Sequence, residues 1–280
     1  MIHTQPVYAS DVLAVVGVTL LVLIIRKGFI ETALAGFILD EYAPKSLKHN
    51  EQNQTKFRHS FYKMCSHFIQ LAIGYNLLST QEYFYDMQYM WIGVPYQPLT
   101  RGIYWYYILQ FSYYLSEATT HFLYATRRKD FYQMFVHHIV TILLISMSYV
   151  LTVFRVGTMV MFYHDMMDPF LETAKVFKYL EKKSLCNIMF AFLTIIYFYS
   201  RLYVYPFHIV YSSIFDVLVH VEIAGIEPIY IVSHYIIIVL LLILVGLNCM
   251  WGYFLLKSLY KSLRYKQELN DARSDDEHVD

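Results

Sequence analysis

An all-α bundle of transmembrane helices is the fold class that this sequence predicts, and three observations support the prediction. Hydrophobic residues make up 57% of the 280 residues, and charged residues only 16%, well below the usual quarter. The mean hydropathy is positive, at +0.38. Apolar stretches about as long as a bilayer is thick recur along the chain, separated by polar segments. We therefore expect a polytopic membrane protein.

About seven apolar segments are predicted to cross the membrane. They lie near residues 11–28, 60–79, 102–125, 131–152, 157–178, 185–205 and 229–256. The first segment is short and is expected to end at Arg26-Lys27. A cleaved signal peptide is the alternative for it, but the N-terminal MIHTQPVYASD lacks the basic residues that begin such peptides.

The positions of the basic residues predict the orientation. Most of the 22 lysines and arginines fall on one side of the predicted spans; Arg101, Arg155 and Arg201 are expected on or near the other side. The positive-inside rule then gives a luminal N-terminus and a cytosolic C-terminus. The sequon at Asn53 falls in a cytosolic linker and should remain unmodified. The net charge of zero gives no reason to expect a nucleic-acid partner.

Four regions follow from this pattern. Residues 1–39 form the luminal N-terminus and the first span, residues 40–58 a polar cytosolic linker, and residues 59–260 the main transmembrane domain. Residues 261–280 form an acidic cytosolic tail that is too polar to bury a core and is predicted to be disordered.

Five ionisable residues on two successive apolar segments mark the candidate site. His137 and His138 lie inside FYQMFVHHIVTILLISMSYV, and His164, Asp165 and Asp168 follow on the next segment. Such side chains are costly in a bilayer and usually face a bundle interior or a cavity. Neighbouring residues on a helix diverge by about 100°, so we expect one histidine of the pair to face the cavity while the other packs nearby.

The second segment presents a polar face. The spacing of His164, Asp168, Glu172 and Lys175 puts all four on one side of a continuous helix, with Asp165 beside them. A histidine oriented by an aspartate suits acid–base or nucleophilic catalysis.

Three alternatives are weaker. A zinc or iron site is disfavoured because adjacent histidines diverge and neither His-x-x-x-His nor Glu-x-x-His occurs in this cluster. A proton-coupled transporter is disfavoured because no inverted repeat is visible. The other histidines of the spans, His67, His121 and His234, are expected to be helix-packing residues.

The sequence around these residues resembles the ceramide synthases, the longevity-assurance branch of the TLC-domain membrane proteins. The resembling segments are RKDF at 128–131, HH at 137–138, Thr141, SY at 148–149, RVGTMVM at 155–161, HDMMD at 164–168 and LETAKVFKY at 171–179. Weaker likeness extends over about residues 26–256. The chain departs from the family pattern in three places: the homeodomain-like insert of many animal members is missing, Met167 replaces a serine, and Asn248 replaces a histidine.

The resemblance implies N-acylation of a sphingoid base by a fatty acyl-CoA, in the endoplasmic reticulum membrane. It implies an apolar acyl cavity, with His137 or His138 as general base or acyl-accepting nucleophile and Asp165 and Asp168 beside it. Acyl-CoA is the co-substrate, and neither a metal nor another cofactor is expected. Supporting roles are expected for His164, Glu172, Lys175 and Arg155, and binding of the CoA phosphates for Arg127, Arg128, Lys129 and Lys178.

Further expectations concern the whole chain. Sphingoid base, acyl-CoA and membrane lipid are the expected partners, and a homo- or heterodimer is left open. A non-enzymatic TLC-domain protein that binds, senses or transports lipid is the alternative. Ser274 is followed by two aspartates and a glutamate, a pattern that acidophilic kinases recognise, so it is a candidate phosphorylation site.

Overall fold

Helices form all the regular structure in the part of the chain that the computed structural model describes, residues 6–124, 130–224 and 228–265. The first half contains α1 Ala9–Ile24, a π-helical stretch Ile25–Leu34, α2 Ala35–Tyr42, α3 Lys45–Lys48, α4 Glu51–Leu78, α5 Glu82–Tyr85, a 3-10 turn Met87–Met90 and α6 Arg101–Tyr124. The second half contains α7 Phe131–Val150, α8 Phe154–Asp165, α9 Asp168–Tyr179, α10 Lys183–Tyr197, a π-helical stretch Phe198–Val210, α11 Tyr211–Ala224 and α12 Pro228–Tyr265. The all-α prediction is confirmed.

Four helical stretches within the described ranges are long and apolar enough to cross a membrane: Ala9–Tyr42, Phe131–Val150, Lys183–Val217 and Ile231–Ser262. They coincide with the first, fourth, sixth and seventh predicted segments. The other three predicted segments are also helical, in α4, in α6 and in α8 with α9, but are more polar. The fold is that of a multi-pass helical membrane protein.

The first helix does not end at Arg26-Lys27, contrary to the prediction. It continues without interruption from α1 through the π-helical stretch to Tyr42. The two cations are neutralised along the helix itself, because Arg26 Nε lies 2.8 Å and Lys27 Nζ 2.7 Å from the carboxylate oxygens of Glu31. Because both charges are paired within the same helix, they are compatible with its continuation beyond Lys27.

The fifth predicted segment is not one continuous helix. It is divided into α8 and α9 at Met166-Met167, and Pro169 stands in the first turn of α9. Proline lacks an N–H and its ring clashes with the carbonyl four residues earlier, so a helix interior breaks or kinks there. The predicted single face is therefore wrong for His164, whereas Asp168, Glu172 and Lys175 remain together on α9.

The helices around the break form the core of the bundle. Helix α9 packs between α4 and α10, α6 packs between α1 and α7, and α12 lies against α7 and the second π-helical stretch. Gly157 brings α8 close to its neighbours, since a Cβ there would meet the Tyr107 hydroxyl and lie 2.7 Å from Ser148 Oγ. Because Gly157 has no side chain, α8 can lie this close to both α6 and α7.

Candidate functional site

The two adjacent histidines of α7 are buried but point to different neighbours. The His137 ring packs edge-on against Trp251 of α12 at 5.4 Å, and lies 6.4 Å from the Tyr114 ring of α6. The His138 ring instead lies 5.4 Å from His121. His137 lines an apolar cavity and His138 does not. The predicted divergence of the pair is confirmed.

Asp165 is held by α6 rather than by a histidine. Its carboxylate is almost fully buried and accepts hydrogen bonds from the Gln110 amide and, at 3.3 Å, from the Tyr114 hydroxyl. Within the described ranges neither His137 nor His138 bonds to an aspartate, and the Nδ1 of both rings has no partner. The expected direct pairing is therefore absent because the carboxylate turns towards α6.

Arg201 is the cation at this site, and its position corrects the sequence analysis, which put it near the non-cytosolic end of a span. It lies in the second π-helical stretch with only 5% of its surface exposed. Its guanidinium donates to the carbonyl of His164, lies 3.4 Å from Asp168 Oδ2, and donates at 3.4 Å to Asn248 Oδ1. One arginine thus ties the break between α8 and α9 to α12.

The His164 ring is fixed in one orientation. Its Nδ1 lies 2.9 Å from the Val160 carbonyl, which can only accept, so Nδ1 carries the proton. The other nitrogen, Nε2, is then free to accept from the Asn248 amide at 3.4 Å. The ring also packs edge-on against Tyr205 at 4.5 Å. Asn248, where the resembling family has a histidine, is thus a direct partner of His164.

His67 lies beside the two aspartates and is not simply a packing residue as expected. Ligand atoms of His67, Asp165 and Asp168 lie within 4.8 Å of one another, close enough to hold a metal ion. The His67 Nε2 pairs with the Tyr113 hydroxyl at 3.1 Å, and its Nδ1 has no partner in the described part of the chain. Both carboxylates already have protein donors, so the cluster does not need a metal to be stable.

Of the remaining predicted residues, Glu172 and Lys175 follow Asp168 on α9, and the others lie farther away or outside the described ranges. On α9, Lys175 Nζ pairs with Glu172 Oε1 at 2.7 Å, and Lys178 is exposed. Arg155 stands at the start of α8, nine residues and so about 13 Å from His164. The expected cations of the acyl-CoA entrance, Arg127, Arg128 and Lys129, and the candidate phosphorylation site Ser274 lie outside the described residues.

An apolar cavity extends from this cluster through the bundle. At one end it is lined by His137, His164 and Tyr114, and at the other by Trp91 and His234. Between the two ends its walls are aliphatic and small side chains of α7, α8 and α12. Two histidines therefore lie at one end of this apolar cavity.

A buried ion network joins the first helix to α4 and α6. The guanidinium of Arg26 lies 3.4 Å from Glu117, and Lys63 Nζ lies 2.7 Å from the other oxygen of Glu117. Arg26 also pairs with His59 at 2.8 Å. The buried Arg26 and the half-buried Lys63 thus hold helices together instead of lying in loops.

The comparisons identify the family of this multi-pass helical membrane protein. The profile of the TLC domain, described as that of TRAM, LAG1 and CLN8, matches residues 56–257, which is most of the chain. The chain belongs to the TLC-domain family.

The relatives are ceramide synthases, as the sequence resemblance predicted. The chain is similar to ceramide synthase 4 of Bos taurus, with 33% identity over 80% of this chain and 55% of that protein. It is also similar to ceramide synthase 3 of Mus musculus, with 37% identity over 79% and 56%. Ceramide synthase hyl-1 of Caenorhabditis elegans is 30% identical over 79% and 61%. The chain thus spans a little over half the length of the curated relatives it matches.

Proposed function

We propose that the protein is a ceramide synthase, which transfers a fatty acyl group from acyl-CoA to the amine of a sphingoid base. The observation that carries this proposal is the pair His137 and His164 at one end of an apolar cavity, beside the buried Asp165 and the half-buried Asp168. An acyl chain needs an apolar space, and acyl transfer needs a base or nucleophile where that space begins. The curated relatives carry the same activity in their names.

The reaction breaks the carbon–sulfur bond of the thioester and forms an amide. His137 either takes a proton from the ammonium of the sphingoid base, or attacks the thioester and forms an acyl-imidazole that the amine then resolves. In both routes the ammonium loses two protons: one leaves with the CoA thiol, and the other is released to solvent. Asp165 and Asp168 stabilise the positive charge that develops on the histidine side of the site.

The membrane arrangement is part of the proposal. Seven spans in the endoplasmic reticulum membrane, with the N-terminus in the lumen, bring the basic residues between α6 and α7 to the cytosol. Arg127, Arg128, Lys129 and the exposed Lys178 of α9 then bind the phosphates of CoA. The apolar cavity excludes water, which would otherwise hydrolyse the acyl group.

The test is incubation of the purified protein with sphinganine and a series of acyl-CoAs, with products measured by mass spectrometry. We expect N-acyl sphinganine from the wild type and a loss of at least about 10²-fold in His137→Ala. His49→Ala is the matched control, because His49 is an exposed histidine next to α3. A wild-type protein that retains lipid but forms no amide would instead identify a non-enzymatic TLC-domain protein that binds, senses or transports lipid.

A further inference from the structure

Among the residues that the structure describes, Trp91 lies at the end of the cavity opposite the histidines. Trp91 lines the cavity and is 1% exposed, although it belongs to the connection between α4 and α6 rather than to a long helix. Its indole N–H donates to Ser212 Oγ at 2.8 Å, and its ring packs edge-on against His234 at 5.6 Å. The indole is therefore fixed from both sides across the end of the cavity.

The backbone around Trp91 is fastened by two polar residues. We call residues 79–100 the capping loop, since they connect α4 to α6 and carry Trp91. Gln97 donates to the carbonyls of Met90 at 2.7 Å and of Ile92 at 3.3 Å, on either side of the tryptophan. The carbonyl oxygen of the Gln97 side chain accepts from the Arg155 backbone N–H at 3.1 Å. The loop is thus tied to the start of α8.

The Arg155 side chain makes two further contacts with the capping loop. Its guanidinium donates to the Tyr89 carbonyl at 2.7 Å and stands over the Tyr83 ring at 5.5 Å. Both partners belong to the capping loop. Arg155 was predicted to support the reacting histidines, but its contacts are with the loop that closes the far end of the cavity.

The residues that line the cavity extend along α7 over about the length of one acyl chain. On α7 the lining runs from His137 to Ser148, eleven residues and so about 16 Å at the helical rise. The hydrocarbon core of a bilayer, about 30 Å thick, holds two acyl chains end to end, so one chain measures roughly 15 Å. A chain whose carbonyl carbon reacts beside His137 would end near the capping loop.

We propose that Trp91 is the end wall that sets the longest acyl chain the protein accepts, with Arg155 and Gln97 as the residues that position it. This inference rests on the proposed acyl transfer and adds the determinant of chain length. A chain longer than the cavity must either displace the indole or leave methylenes without an apolar contact, and both cost binding free energy. Shorter chains fit but bury less surface.

The experiment is a competition among saturated acyl-CoAs of increasing length, presented in equal amounts with sphinganine to the purified full chain. Trp91→Ala removes the indole, so products should shift to longer chains, by about fourfold for each added methylene that becomes accommodated. Trp91→Phe retains a ring and should shift the products less. Arg155→Gln loosens the capping loop and should broaden the distribution of product chain lengths.

Two further variants complete the design. Trp105→Ala makes the same chemical change at an exposed tryptophan of α6, and its product lengths should equal those of the wild type. Leu144→Phe narrows the cavity between its two ends and should shift products to shorter chains. If Trp91→Ala does not fold, Trp91→Phe and Arg155→Gln still test the role of Trp91, and Leu144→Phe still tests whether the acyl chain lies in this cavity.

The outcomes separate this inference from the proposed function. Active Trp91 variants with the wild-type length distribution would overturn the role of Trp91, and would leave acyl transfer established. A wild type that acylates no sphingoid base with any acyl-CoA would overturn both. A shift in Trp91→Ala that Trp105→Ala reproduces would also count against the end wall, because it would reflect a general loosening of the bundle.

Discussion

Each carboxylate of the candidate site is matched by a residue from a different helix. Asp165 of α8 accepts from Gln110 and Tyr114 of α6, and Asp168 of α9 faces Arg201 of the second π-helical stretch. A buried charge without a partner costs free energy, so these contacts stabilise the packing of the helices around the site. The side chains of the candidate site therefore also form contacts between helices.

Asp165→Asn should lower the acyl-transfer rate on the order of 10²-fold, because the amide cannot carry the negative charge that stabilises a developing imidazolium. Asparagine keeps an oxygen that can accept from Tyr114, so the unfolding temperature should change little. The readouts are amide formation and thermal unfolding in detergent. Asp40→Asn, at an exposed position near the end of α2, is the matched control and should be unaffected. Wild-type turnover in Asp165→Asn would remove Asp165 from the mechanism.

Arg201→Met should destabilise the protein by about 3 kcal/mol or more, since it leaves Asp168 and the His164 carbonyl without their buried cation. We expect a clear fall in the unfolding temperature together with loss of activity. Arg101→Met changes an exposed arginine at the start of α6 and should leave both quantities near the wild-type values. Equal unfolding temperatures for the two variants would show that the Arg201 contacts contribute nothing to stability.

Residues of the candidate site could be predicted only where an ionisable side chain lies inside an apolar segment. His137, His164 and Asp165 are ionisable side chains inside apolar segments, so they stand out. Gln110 and Tyr114 are uncharged and lie in a segment rich in tyrosine, where nothing in the pattern indicates which hydroxyl or amide will face a carboxylate. Their roles depend on the packing of α6 against α8, which no local pattern specifies.

Pro169 explains why the fifth predicted segment is two helices instead of one. The spacing of the polar residues between His164 and Lys175 favours a continuous helix, but Pro169 interrupts it. The signal was present in the sequence, since an internal proline predicts a break or kink. The break turns α9 relative to α8 and lets Arg201 reach both the His164 carbonyl and Asp168.

Gly157→Ala should destabilise the protein by about 1–3 kcal/mol, the usual cost of overpacking. The added methyl group would meet the Tyr107 hydroxyl and lie 2.7 Å from Ser148 Oγ, both of which face α8 from neighbouring helices. Alanine favours the helix locally by up to about 1 kcal/mol, which the clash outweighs. Thermal unfolding in detergent measures the net effect.

Gly246→Ala on α12 is the matched control for this substitution. No atom lies within 4 Å of its added Cβ, so the higher helix propensity of alanine should leave the unfolding temperature unchanged or raise it. If Gly157→Ala were as stable as Gly246→Ala, then α8 would not need the close approach to α6 and α7 that the glycine allows.

The fold class of the protein could be predicted from composition and hydropathy, but the lengths of its helices could not. Arg26 looked like the end of a span, whereas its pairs with Glu31 and Glu117 place it inside a helix that continues to Tyr42. Lys63 is likewise half-buried and paired with Glu117. Ion pairs formed between distant helices neutralise charges that a one-dimensional hydropathy reading treats as boundaries.

The orientation of the bundle gives the last prediction. If the positive-inside rule holds for the basic residues that remain in loops, the N-terminus is luminal and residues 40–58 are cytosolic. Asn53 lies near the start of α4 and is partly exposed, so folding alone would not hide its sequon. We therefore expect no glycan on Asn53 when the protein is made in microsomes, because the transferase acts only in the lumen.

An N-terminal extension that carries an Asn-Gly-Thr sequon provides the positive control. It should be glycosylated and should show a mobility shift that a glycosidase reverses, while Asn53→Gln in the same chain should leave that shift unchanged. A glycan on Asn53 together with an unmodified extension would reverse the orientation. In that case residues 127–129 and the histidine end of the cavity would face the lumen, and acyl-CoA, which is supplied from the cytosol, would have no route to His137.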